Sequence, residues 1–220
     1  MPTIYYMGDS TVTFNHPDTH PQQGMSNALH IHLKVDVLVS PHGYNGRSTK
    51  SFLEEGHFAA VQSALQPGDF LFIQFGHNDE KEDPARHTDP DTTFRENLRH
   101  FIRHAQARGA HPLLITPIAR RLFDEDGHFR PGSHGAYPDA IRAVGIQEQV
   151  PVADLTAITE AFLAQLGDEP SKPLFVWPKD NTHLKPEGAV KMAGFLAQGL
   201  CNLGEPYAAL LAGPDEGADR

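Results

Sequence analysis

Residues 67–79 read PGDFLFIQFGHND. Pro67-Gly68 is a turn pair. Residues 69–75 then run almost wholly apolar and aromatic, as a strand covered on both faces does. At Gly76 the character changes at once, and His77, Asn78 and Asp79 follow. A buried strand that ends in a polar cluster is the signature to test in the rest of the chain.

The same unit recurs on either side. Apolar runs at 3–7, 35–39, 113–116 and 151–155 predict four more strands, the fourth strand closed by Pro117. Between them lie helical stretches at 24–32, 48–65 (broken near Gly56), 92–108, 138–149 and 156–165. A last helix spans 186–202 and begins at Pro186, a favoured first-turn residue. Leu98, Phe101, Ile102 and Ala105 repeat at helical spacing, as do Ala189, Ala193, Leu196 and Leu200. Strands alternating with helices predict an α/β fold with a parallel sheet covered on both faces.

Composition narrows the function. The chain has 220 residues, enough for one large domain. The sequence predicts that domain over 1–204 and a tail over 205–220, frayed from Ala208. With 18 basic against 28 acidic side chains the net charge is -10, the wrong sign for a general nucleic-acid binder. Cys201 is the sole cysteine, so an internal disulfide and Cys-based zinc sites are excluded. The 14 histidines are scattered, without an HExxH motif, and no cofactor is expected. No apolar run is long enough to span a membrane, and the N-terminus lacks the basic start and apolar core of a secretory signal. A cytoplasmic protein is the expectation.

Four polar clusters fall at the carboxyl ends of predicted strands or before the last helix: Gly8-Asp9-Ser10, Asn45-Gly46-Arg47-Ser48, Gly76-His77-Asn78-Asp79 and Asp180-Asn181-Thr182-His183. In an open parallel sheet that rim is where ligands bind. Hydrolysis by a serine needs a nucleophile, a base with an orienting carboxylate, and donors for the oxyanion. Ser10, His183 and Asp180 can fill the first roles. The backbone N–H groups of Ser10 and Gly46 and the amide of Asn78 can fill the last. Each cluster also has an ordinary reading: Ser10 as a helix cap, Asn45-Gly46 as a tight turn, His77-Asn78-Asp79 as a cap. Asp9 is expected to buttress its turn and Thr11 to support it.

Taken together and in order, the blocks GDST (8–11), NGRS (45–48), GHND (76–79) and DNTH (180–183) resemble those of the SGNH, or GDSL-type, hydrolases. The resemblance implies a three-layer α/β/α flavodoxin-like fold with five parallel strands. NGRSTKSFLEEGHF, GDFLFIQFGHNDE, DNTHLKPEGA and LLITPIARRLFDEDGHF are similar to the rhamnogalacturonan acetylesterase branch. That branch removes acetyl groups from the pectin backbone without a metal. Two departures stand out. Gly24-Met25-Ser26 replaces a frequent Gly-Trp-Gly, and the segment FVWPKDNTH before the last block is short.

The expected activity is therefore removal of acetyl groups from pectin-derived oligosaccharides, with no nucleic-acid or membrane partner. A broader carbohydrate acetylesterase is the alternative. Arg47, Arg120, Arg121, Tyr137 and Trp177 are candidates for substrate contact, the arginines toward a galacturonate carboxylate. Two rivals come from other classes. One is a metal site of His77, Asp79, Asp180 and His183. The other is a non-catalytic carbohydrate-binding protein.

Overall fold

The computed structural model of the chain describes residues 1–15 and 17–213. Five strands form one sheet: β1 (Thr3–Gly8), β2 (Leu38–Gly43), β3 (Phe70–Gln74), β4 (His111–Ile115) and β5 (Val152–Ala153). Their order is β2-β1-β3-β4-β5, and every pairing is parallel. This is the flavodoxin-like order, whose switch point falls between β1 and β3.

Side chains alternate across the strands and so divide between two cores. Ile4, Tyr6, Phe70, Phe72, Leu113 and Ile115 point to one face. There they meet α1 (Ser26–Leu29), α6 (Leu155–Leu166) and α8 (Pro186–Leu203). Met7, Leu71, Ile73 and Leu114 point to the other. They pack on α2 (Thr49–Glu54), α3 (His57–Ala64), α4 (Thr93–Ala107) and α5 (Tyr137–Glu148). The result is three layers. Each fully buried Phe or Leu here contributes roughly 1.5–3 kcal/mol relative to exposure.

Two sequence expectations need correction. The second strand lies at Leu38–Gly43, not 35–39. Val35 is 81% exposed, and the paired residues include Ser40, Pro41 and His42. β2 is an edge strand, which tolerates both polar residues and a proline that donates nothing to the ladder. The second correction concerns the tail. Tyr207 and Leu210 are buried in the first core, the Tyr207 hydroxyl donates to the Pro112 carbonyl at 2.7 Å, and Leu211 bridges Leu33. Residues 207–212 are tied to the domain rather than frayed, and residues 214–220 of the predicted tail lie outside the described residues. A short helix, α7 (Asp168–Ser171), was also not foreseen.

Candidate active site

β1 ends at Gly8, and the chain turns immediately. The carbonyl of Asp9 accepts from the backbone N–H groups of Val12 and Thr13, both at 3.1 Å. Its carboxylate Oδ1 accepts from the N–H and hydroxyl of Thr11 at 2.9 and 2.8 Å. Burial pushes the Asp9 carboxyl up, and the Thr11 bonds partly offset this. Asp9 and Thr11 thus hold the turn closed. Ser10 lies between them at the sheet rim.

The departure at Gly24-Met25-Ser26 sits against this turn. A Cβ at Gly24 would lie 2.2 Å from the Thr13 carbonyl oxygen, so only glycine fits there. The Ser26 hydroxyl donates to the Val12 carbonyl at 2.5 Å. Met25 is buried, with its sulfur 3.9 Å from the Gln74 amide nitrogen. These residues brace the turn from below.

The Ser10 hydroxyl meets His183, whose Nε2 lies 3.0 Å from Oγ. The other ring nitrogen, Nδ1, is 3.0 Å from Asp180 Oδ2. Asp180 Oδ1 accepts the backbone N–H groups of Thr182 at 2.8 Å and His183 at 2.7 Å. Burial raises the Asp180 carboxyl, but those N–H groups and the His183 ring outweigh it and hold the pKa below the usual value. An ionised Asp180 therefore fixes the Nδ1–H tautomer and turns the Nε2 lone pair toward Ser10.

Two amides tie together the turns that carry the candidate oxyanion donors Ser10, Gly46 and Asn78. Gln22 Nε2 donates to the Ser10 carbonyl at 3.3 Å and to Asn45 Oδ1 at 3.0 Å, which ties the Asn45-Gly46 turn to the Ser10 turn. Asn78 Nδ2 donates to the Arg47 carbonyl at 3.1 Å. Gly46 is held between these two ties, at φ +76°, a conformation that favours glycine. Among the described residues the Ser10 and Gly46 N–H groups make no hydrogen bond. Asn78 uses one amide hydrogen on Arg47 and keeps the second.

A cavity of about 130 Å³ opens at Ser10 and His183, and its wall also includes His77, Asn78, Lys81, Arg120 and Thr182. Arg120 carries that wall into a half-buried charge cluster. Arg120 donates to Thr182 Oγ1 at 2.7 Å, Glu80 Oε1 at 2.5 Å and the His77 carbonyl at 3.2 Å. Glu80 Oε2 is 3.0 Å from His134 Nδ1, and His134 Nε2 is 2.9 Å from the Ile118 carbonyl. Burial raises the Glu80 carboxyl, but His134 and Arg120 together hold it below the usual range.

The five candidates for substrate contact fare differently. Arg120 reaches the cavity, but three of its donors are bonded within the cluster and its charge is paired with Glu80. Arg121 is buried, pairing with Asp168 and donating to Ser171 Oγ at 2.9 Å. Tyr137 is buried too, and its hydroxyl sits between the carbonyls of Asp79 and Thr88, to one of which its single proton is donated. Both are structural, because a residue directly after a strand or opening a helix can equally turn inward. Arg47 is bound to Glu55 at 2.6 Å. Trp177 is 40% exposed, beside the Asn181 pocket, with the Arg121 guanidinium 4.6 Å from its ring centre.

Of the residues of the metal rival, His77, Asp180 and His183 line the Ser10 cavity but Asp79 does not. Asp79 is buried and its Oδ1 takes the hydroxyls of Thr49 and Thr88 at 2.5 and 3.0 Å. Among the described residues the one group with metal-ligand spacing is Asp124, Asp126 and His128, on another loop. Gln22, Glu80, Lys81 and His134 were missed in the sequence. Glu80 and Lys81 directly follow the GHND block, which is the one signal that pointed to them.

The chain is similar to several known proteins in sequence and fold. The model of the GDSL-like Lipase/Acylhydrolase family matches residues 6–190. The rhamnogalacturonan acetylesterase RhgT of Bacillus subtilis (strain 168) is 39% identical over 215 residues, covering 92% of this chain and 91% of its own. The probable rhamnogalacturonan acetylesterase YesY of the same organism is 38% identical over 210 residues, covering 92% and 94%. The solved structure of protein YXIM from Bacillus subtilis superposes with a TM-score of 0.83 at 28% identity, over 93% of this chain and 57% of that one. The acetylxylan esterase Axe2 from Geobacillus stearothermophilus gives a TM-score of 0.66 at 16% identity over 94% and 95%, a likeness of fold alone.

Proposed function

The chain belongs to the GDSL-like lipase/acylhydrolase family and is a carboxylic ester hydrolase; on that premise we propose that it removes acetyl groups from rhamnogalacturonan-type, pectin-derived oligosaccharides by a Ser-His-Asp mechanism. The observation that carries the chemistry is the continuous contact Ser10–His183–Asp180, with both links at 3.0 Å.

Ser10 Oγ attacks the acetyl carbonyl carbon while its proton passes to His183 Nε2. The negative charge on the former carbonyl oxygen is met by the N–H groups of Ser10 and Gly46 and the free amide hydrogen of Asn78. Asp180 stabilises the imidazolium that forms. The bond to the sugar oxygen then breaks, and that oxygen takes the proton from His183. Water, deprotonated by His183, attacks the acetyl-Ser10 ester, and acetate leaves with Ser10 Oγ reprotonated.

The substrate reading is supported by the relatives' names and by the size of the cavity. About 130 Å³ suits an acetyl group and not a long acyl chain. The experiment compares acetate release from acetylated rhamnogalacturonan oligosaccharides and from acetylated xylo-oligosaccharides with cleavage of a long-chain acyl ester. The first is expected to turn over with the highest kcat/KM. Preference for the xylo-oligosaccharides would shift the activity to a broader carbohydrate acetylesterase, and preference for the long acyl ester would overturn the carbohydrate reading.

A further inference from the structure

The arginines nearest the site are paired with carboxylates. Arg47 pairs with Glu55 at 2.6 Å, Arg86 with Asp83 at 2.9 Å and Arg120 with Glu80 at 2.5 Å. Lys50 donates to the Pro84 carbonyl at 2.7 Å. Lys81 is different. It lines the Ser10 cavity, it is only partly exposed, and among the described residues its ammonium makes no hydrogen bond or ion pair. The carboxylate before it in sequence, Glu80, points inward to Arg120 and His134 and is not available to it.

The neighbours of Lys81 leave that charge uncompensated. His77 is buried beside it with neither ring nitrogen bonded. Burial first, and then the surrounding positive charges with Lys81 among them, push the His77 ring well below the usual histidine range. His77 is therefore a neutral wall. The Asp180 carboxylate in the same cavity is engaged by His183 and two backbone N–H groups. The whole chain carries a net charge of -10, so an anionic substrate is repelled at long range and must be drawn in locally.

We propose that Lys81 is the residue that selects an acidic sugar at this site, its ammonium receiving the carboxylate of a uronate unit in the bound oligosaccharide. The assignment rests on the acetylesterase reading above and names the group that recognises the acid of its substrate. An ammonium on a four-carbon stem suits the role. It is a mobile point charge that follows a carboxylate without imposing the fork geometry of a guanidinium.

The test measures kcat/KM on an acetylated rhamnogalacturonan oligosaccharide and on the same oligosaccharide with its carboxyl groups reduced to alcohols. The quantity read is the ratio of the two, so any misfolded fraction of a variant cancels. Lys81→Met is expected to lower the ratio tenfold or more, mainly through KM on the acidic substrate. Lys81→Arg, which keeps the charge, is expected to retain it. An unchanged ratio in Lys81→Met overturns the assignment, as does an equal loss in both variants. A wild-type enzyme that releases no acetate from the acidic oligosaccharide overturns the substrate reading together with the assignment, which separates the two failures.

Discussion

His183 Nε2 lies 3.0 Å from Ser10 Oγ although 173 residues separate the two in the chain. One is fixed by the turn after β1, the other by the approach to α8. The His183 carbonyl accepts from Val176 N–H at 2.8 Å, Phe175 bridges Leu184, and Asn181 O accepts from Arg121 N–H at 2.8 Å. The loop is thus pinned to its own return segment and to the segment that follows β4, and the imidazole meets the serine already oriented.

Asp180→Asn tests that orientation. The amide oxygen can still accept the two backbone N–H groups, so the loop survives. The ring loses the acceptor that fixes its tautomer. We expect kcat on an aryl acetate to fall by roughly 10³–10⁴ with the melting temperature little changed. A loss below tenfold would remove Asp180 from the mechanism.

Asn78→Ala removes a donor that matters only once charge has formed. kcat should fall by roughly 10²–10³ with KM almost constant. A rise in KM at constant kcat would make Asn78 a binding residue instead.

Much of this was legible in the sequence. Phe70–Gln74 and the helix at Thr93–Ala107 follow from apolar runs and periodicity, which burial enforces directly. β2 was displaced because an edge strand needs little apolar character, so the apolar pair Val35 and Val37 drew the boundary too early. At the site, the blocks carried Ser10, Gly46, Asn78, Asp180 and His183 to one rim. What could not be read was which way an arginine turns. Arg120 and Arg121 are neighbours, yet one faces the cavity and the other Asp168 and Ser171. That choice depends on partners about 40 to 60 residues away. Gln22 escaped for the same reason.

Arg121→Met follows from that burial. The variant leaves the Asp168 carboxylate with only Lys172, at 3.5 Å, and empties the place of a guanidinium bonded to Ser171. A loss of about 2 kcal/mol is expected, or a melting temperature lower by roughly 4–8 °C for a domain of this size. Unchanged stability with a selective rise in KM would return Arg121 to substrate binding.

Asp79 links stability to pH. Burial is the largest influence on its carboxyl, and despite bonds from Thr49 and Thr88 it is pushed up from 3.8 to about 7. Between those values the folded state binds more protons than the unfolded one, so this residue's contribution to stability is lost as pH rises. It is fully present below pH 3.8 and gone above about 7. The upper limit is about 4 kcal/mol. Urea titrations of wild type and Asp79→Asn from pH 4.5 to 8 check this. The variant's unfolding free energy should fall less steeply with pH. Parallel curves would contradict the assignment.

The account stands on Ser10 as the nucleophile. The direct measurement is reaction with a serine-directed phosphonate followed by mapping of the adduct by mass spectrometry, for wild type and Ser10→Ala. The account predicts one adduct, on Ser10, formed in step with loss of esterase activity, and none in the folded but inactive Ser10→Ala. An adduct on another serine, or esterase turnover that survives in Ser10→Ala, would contradict it.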